Sequence, residues 1–389
     1  MNIHDFDEIR PFLPEELPAA FDSLLADKQF CDIMQSFFKD TPLEILKKKI
    51  YACQTSLEVQ KTFFYPLVFQ LLEKCSNGAT LDTTVIPEKD RNGSFTFVSN
   101  HRDIVLDAAL LDVLLIQNGY RTTVEIAIGD NLLIHPWIKT LVRINKSFIV
   151  QRSLSIRELM ASSKRMSQYM HFAISEKHES IWIAQREGRA KDSNDRTQES
   201  VLKMMTMGGE GSPAESLKAL NIVPLTISYE YDPCDYLKAK EFQQKRDNPE
   251  FKKSRQDDLA NMQTGIFGFK GRVEYRLAEP ANRWIDTYAH LPKPAFFAAV
   301  AQHMDKAIHA GYTLYPGNYV ALDLLQGTQH HTAHYTEEEK AKFEAYIESR
   351  LALIDLPQKD EPFLRRCMLT MYANPVINHL KAVQGCSMN

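Results

Sequence analysis

Phe95-Thr96-Phe97-Val98-Ser99-Asn100-His101-Arg102-Asp103-Ile104-Val105-Leu106-Asp107-Ala108-Ala109-Leu110-Leu111 carries the chain from one kind of periodicity into another. Phe95 to Ser99 is an apolar, β-favouring run, whereas Asp107 to Gln117 has the composition of a helix. The alternation continues downstream. Strands are predicted at Thr122 to Ile128, Phe148 to Val150, Ile181 to Ala184, Ile222 to Ser228 and Arg272 to Leu277. Between them lie helical stretches at Leu132 to Arg143 and along the stripe Leu159, Met166, Met170 and Ala173. Strands alternating with helices of this length pack as layers, so the predicted fold is α/β, a mixed, largely parallel sheet flanked by helices.

Upstream, the pattern from Glu15 to Cys75 is helical, with Phe64, Val68, Leu71 and Leu72 on one face. Asp40-Thr41-Pro42 marks a helix start. Ser76 to Gly93 mixes Asn, Gly, Thr, Pro and charge, the composition of a loop. The expected organisation is a small N-terminal helical domain over 1–80 and an α/β domain over 81–389 that ends in a helical C-terminal region. The densely charged Tyr236 to Gln256 is expected to be an exposed helical excursion. Phe296, Phe297 and Val300 form a stripe that suits a core helix better than a lipid-facing one.

Composition narrows the class. Hydrophobic residues at 44% and charged residues at 25% are ordinary globular values. A net charge of -4 supplies no global field for nucleic acid, so none is expected as a partner, and any cationic site must be local. The six cysteines, at 31, 53, 75, 234, 367 and 386, show no paired short spacing, so no metal site is expected and reduced thiols in a cytoplasmic setting are. The N-terminal segment lacks the basic and apolar regions of a signal peptide. The best apolar run, Ile104 to Ile116, contains Asp107 and Asp112, so any meeting with a membrane is expected to be peripheral, on its inner face.

A histidine just past a strand, followed by a carboxylate at the start of a helix, sits where α/β sheets place ligands. His101 is suited to accept a hydroxyl proton near neutral pH, and a hydrogen-bonded carboxylate fixes its tautomer. Asp107 is the preferred partner and Asp103 the competing one. Asp107 is also read simply as a helix cap.

Ser99-Asn100-His101-Arg102 with the following aspartate resembles the first motif of the glycerophospholipid acyltransferase family, in which four residues separate His and Asp. Here five intervene. Lys146-Ser147-Phe148-Ile149-Val150-Gln151-Arg152 is similar to the second motif, with Lys146 where a glycine is usual and Gln151 in place of a basic residue. Ile181-Trp182-Ile183-Ala184-Gln185-Arg186-Glu187-Gly188-Arg189 resembles the third, and Ile222-Val223-Pro224-Leu225-Thr226-Ile227-Ser228-Tyr229-Glu230 the fourth. A buried edge strand with Pro224 at a position needing no donor explains the fourth physically. In isolation, Arg189 is better read as the ion-pair partner of Glu187, Asp192 or Asp195.

The resemblance implies that His101 is a general base oriented by Asp107. It further implies that Arg102, Lys146, Arg152, Glu187, Gly188, Arg189, Lys191 and Pro224 contact substrate, with Arg152 and Arg189 meeting a phosphate. The implied reaction moves a fatty acyl group from an acyl carrier protein or coenzyme A thioester to a hydroxyl of glycerol-3-phosphate or 1-acyl-glycerol-3-phosphate. The thioester is a co-substrate, and no further cofactor is implied. An amino-acid lipid as acceptor, and a non-catalytic lipid- or acyl-carrier-binding protein on the same fold, are the alternatives. A serine hydrolase would need a Gly-x-Ser-x-Gly elbow, which Gly209-Glu210-Gly211-Ser212-Pro213 does not supply.

Overall fold

A computed structural model describes residues 1–151 and 156–384. Short helices α1 (Leu17–Ala26), α2 (Lys28–Phe37), α3 (Leu43–Ala52), α4 (Ser56–Val59) and α5 (Tyr65–Cys75) come first, with a π turn at Gln60–Phe64 between the last two. Strands and helices then alternate: β1 (Ala79–Asp82), β2 (Thr96–Ser99), α6 (Leu106–Gln117), β3 (Val124–Gly129), α7 (Pro136–Ile144), β4 (Ser147–Val150), α8 (Ile156–Ser175) and β5 (Ser180–Ala184). Next come α9 (Glu199–Met205), α10 (Pro213–Ala219), β6 (Ile222–Tyr229), α11 (Asp235–Asp247), α12 (Arg255–Phe267) and β7 (Val273–Leu277). Helices α13 (Lys293–Ala310), α14 (Pro316–Gln326), α15 (Glu337–Ala352) and α16 (Glu361–Gln384) close the chain.

The seven strands form one mixed sheet in the order β1-β7-β6-β2-β5-β3-β4. All neighbours are parallel except β6 and β7. Every residue of β2 and of β6 is buried, as continuous apolar runs must be when a parallel sheet is covered on both faces. Helix α6 is apolar on every side because it too is enclosed, and its two aspartates are spent at fixed bonds. The Asp112 carboxylate accepts from the Val124 N–H at 2.8 Å, and Asp107 turns toward His101.

The structure departs from expectation in three places. Strand β1 lies within the segment read as a loop. It pairs with β7 about two hundred residues later, a partner that no local pattern announces. A boundary at residue 80 therefore falls inside β1, and Phe6 and Ile9 join the core that covers one face of the sheet. Strand β6 is interior and not at an edge: Val98 of β2 stands beside Pro224, with β7 on the other side. Finally, α11 is no solvated excursion, because Lys238, Ala239, Glu241 and Gln243 are buried. Phe296, Phe297 and Val300 are core residues as expected, at 2%, 0% and 2% exposure.

Candidate active site

The loop after β2 is pinned from three directions. Ser99 Oγ accepts from Trp182 Nε1 of β5 at 3.0 Å. The Asn100 side chain copies a strand residue: its Oδ1 accepts from the Ile227 N–H at 2.8 Å and its Nδ2 donates to the Ile227 carbonyl at 2.9 Å. Each such bond contributes about 1 kcal/mol net, and both would be lost together. Arg102 reaches the other way and donates to Asp195 Oδ2 at 2.7 Å, under the Tyr312 ring. Between Asn100 and Arg102, His101 faces outward.

His101 Nδ1 lies 2.8 Å from Asp107 Oδ2, with the Trp182 ring edge-on to the imidazole. A carboxylate can only accept, so Nδ1 carries the proton and Nε2 is left as the basic nitrogen. Asp107 is fully buried, and the backbone N–H of Arg102 also donates to Oδ2 at 2.6 Å. Tyr229 donates to Oδ1 at 3.1 Å. The competing carboxylate has another task. Asp103 Oδ1 accepts from the Val105 and Leu106 N–H groups at 2.8 and 2.7 Å, closing the turn before α6 and absorbing the fifth intervening residue. Burial first, and the charge of Asp107 second, push its pKa above the ordinary aspartate value. Gly265 of α12 packs on it, and a Cβ there would lie 2.1 Å from Asp103 Oδ2.

His101 lines a cavity of about 950 Å³ with two chemically distinct parts. One part is apolar, walled by Phe30, Met34, Phe63 and Leu67 from the N-terminal helices and by Ile126, Leu141 and Met166 from the α/β layers. The other is polar and lies beyond the C-terminal end of β5, where Arg186, Glu187, Gly188, Arg189 and Lys191 meet Lys253 and Asp258. Gly188 has φ +65, the left-handed conformation that glycine adopts without strain, and this turns the strand end back across the opening.

Arg189 is only partly committed to protein. Its Nη2 donates to Asn261 Oδ1 at 3.3 Å, whereas the buried Nη1 has no hydrogen-bond partner among the described residues. Burial opposes its charge, but Cys234, Asp232 and Asp103 outweigh that and hold the guanidinium firmly protonated. Arg186 Nε is likewise buried and unpartnered among the described residues, a feature that the third motif contains but that sequence reasoning passed over. Arg91 Nε and Arg276 Nε are also buried and unpartnered among the described residues, but of the four guanidinia only those of Arg186 and Arg189 line the cavity, where an anionic group could reach them. Lys191 is paired with the buried Glu241, which also holds Lys245 and Lys253 at 3.0 and 3.3 Å.

Residues 82–228 match the family model described as Acyltransferase. This segment of the chain is therefore an acyltransferase domain. Among solved structures, the crystal structure of the 1-acyl-sn-glycerophosphate (LPA) acyltransferase, PlsC, from Thermotoga maritima is similar at 10% identity with a TM-score of 0.38. That alignment covers 77% of this chain and 100% of that one. No curated protein matches.

In this acyltransferase, the expected substrate contacts separate into two groups. His101, Glu187, Gly188, Arg189 and Lys191 lie on the cavity wall, as does Gln151, whose Oε1 accepts from Ser162 at 3.0 Å. Arg102, Lys146 and Pro224 do not. Arg102 is consumed by Asp195, and Pro224 is buried in the middle of the sheet. Lys146 precedes β4 and so lies at the opposite edge of the sheet from His101. Its Nζ donates to Thr122 Oγ1, the Thr123 carbonyl and Glu179 Oε2 at 2.9, 3.1 and 2.7 Å. Its φ of +58 explains why glycine is usual there. Arg152 lies outside the described residues. Among the described residues, no cluster of three His, Cys, Asp or Glu side chains is arranged to hold a metal, and no helix is long and apolar enough to cross a membrane.

Proposed function

We propose that this acyltransferase moves a fatty acyl group from a thioester of acyl carrier protein or coenzyme A to a hydroxyl of glycerol-3-phosphate or 1-acyl-glycerol-3-phosphate. One observation carries the reading: a histidine with Nδ1 held by a buried carboxylate stands on the wall of a cavity that is apolar on one side and bears unpartnered guanidinium donors on the other. An acyl chain suits the first part and a phosphate the second.

In the proposed step, His101 Nε2 takes the proton of the acceptor hydroxyl as its oxygen attacks the thioester carbonyl. The C–S bond of the resulting tetrahedral adduct breaks, and the imidazolium returns the proton to the departing thiolate. Asp107 stabilises the imidazolium and fixes its tautomer. Arg189 and Arg186 bind the acceptor phosphate, so the hydroxyl is presented to Nε2 in one orientation, a large part of the advantage of a bound reaction. Phe37, Val105 and Leu159, exposed apolar side chains from α2, the turn before α6 and α8 around the cavity, suit a protein that takes its lipid from the cytoplasmic face of a membrane.

The test is acyl transfer from labelled acyl carrier protein and acyl-CoA to a panel of phosphorylated and unphosphorylated acceptors. The wild type is expected to form product with a phosphorylated acceptor, and His101→Ala to lose roughly 10³-fold in rate. Equal activity in His101→Ala, or no product with any acceptor, overturns the proposal.

A further inference from the structure

Asp107 is held by more than the histidine it serves. Of its two carboxylate oxygens, Oδ2 is occupied by His101 Nδ1 and the Arg102 N–H, while Oδ1 receives the Tyr229 hydroxyl at 3.1 Å. Tyr229 is the last residue of β6 and lies in the fourth motif, of which only Pro224 was expected to contact substrate, one position beyond the segment that matches the family model. Its ring is buried, and burial, followed by the charges around it, keeps the phenol protonated and therefore a donor. A second tyrosine, Tyr275 of the antiparallel strand β7, donates to the backbone carbonyl of the same residue at 2.9 Å. Two hydroxyls from adjacent strands thus grip Asp107 at chemically different points.

Resting on the acyl transfer proposed above, we infer that Tyr229 is a positioning residue for His101, acting through the Asp107 carboxylate. A carboxylate with a free oxygen rotates and concentrates its charge. With Oδ1 tied to Tyr229, Oδ2 stays in line with Nδ1, and part of the negative charge is drawn away from the imidazole. The other groups facing this pair are Asp103 and Arg102 from its own loop, and Tyr275 and Trp182 from the neighbouring strands. None of these places a donor on Oδ1. Loss of the Tyr229 hydroxyl leaves a more basic carboxylate, which favours the imidazolium. The histidine then becomes an available base only at higher pH.

The experiment compares pH profiles of kcat/KM for wild type, Tyr229→Phe and Tyr275→Phe, together with a ¹⁵N-histidine NMR titration of His101 that needs no turnover. Tyr229→Phe is expected to lower kcat roughly ten-fold with KM for both substrates little changed, and to move the acid limb and the His101 titration upward by about half a pH unit. Tyr275→Phe, which loses a hydrogen bond from the same residue's backbone, is expected to leave both in place. Tyr229→3-fluorotyrosine keeps the shape and donates more strongly, so it moves the titration down, and it stands in if the phenylalanine variant does not fold. Unmoved titrations in the Tyr229 variants, or an equal shift in Tyr275→Phe, overturn the inference. Because the NMR reads the imidazole directly, that failure is distinct from retained transfer by His101→Ala, which sinks the proposed function.

Discussion

The two edges of the sheet carry similar residues and treat them in opposite ways. At the edge where β3 and β4 begin, Lys146 makes three hydrogen bonds, and Lys177 pairs with Glu125 beside Tyr169, so the cations are spent on protein. At the edge where β2 and β5 end, Arg189 and Arg186 keep buried donors without partners among the described residues. Both edges supply basic residues to motifs that resemble one family, yet only at the second do unpartnered guanidinia line the cavity. A satisfied cation is architecture, whereas an unsatisfied one is an open valence, and composition alone does not distinguish them.

The contrast can be broken most severely at Arg102, which shares the edge of His101 but behaves like the residues of the other. Arg102→Ala leaves Asp195 buried without its cation and is expected to cost about 3 to 5 kcal/mol in urea unfolding. A cost within experimental error of zero would return Arg102 to the list of substrate contacts. Next comes Arg189→Ala, expected to raise KM for a phosphorylated acceptor roughly 100-fold, the loss of about one strong charged contact, while KM for the thioester holds. Lys146→Met is the matched control at the opposite edge and is expected to leave acceptor KM unchanged. If the two variants behave alike in steady-state kinetics, the division between edges fails.

The smallest effect sharpens the comparison by pH. Burial, opposed by the Val124 N–H and by Lys146, pushes the Asp112 carboxyl up to about 7. The folded state therefore binds this proton more tightly than the unfolded chain does. Its contribution to stability is complete below the ordinary aspartate pKa and is lost as pH rises through about 7. Asp112→Asn is expected to gain about 2 kcal/mol relative to wild type on going from pH 5.5 to 8.5, read by denaturant unfolding at both values. Parallel pH dependence in the two proteins would show that Asp112 is not the group responsible.

Much of this was legible because the signals were local. The apolar run into His101, the strand ending at Glu187-Gly188-Arg189 and the enclosed helix after Asp107 each declare their place through a few consecutive residues. The choice of Asp107 over Asp103 was also within reach, though through the resemblance, in which the apolar helix begins just after the aspartate. What could not be read depends on distant partners. Ala79-Thr80-Leu81-Asp82 becomes a strand because β7 lies alongside it. Arg102 and Arg189 look equivalent until Asp195 is found beside one of them. Tyr229 had only a faint signal, an aromatic hydroxyl at the end of a strand on the edge where ligands gather.

The apolar part of the cavity has a consequence for folding itself. Its wall joins the N-terminal helices to the α/β layers through Phe30, Met34 and Phe63 on one side and Leu141 and Met166 on the other. Space of that size between two hydrophobic surfaces forfeits contacts that a filled interior would make. A hydrocarbon guest would restore them, becoming for the length of its stay a missing piece of the core. The chain would then act as a fastener as well as cargo, and each release would require the molecule to give up some of its own cohesion.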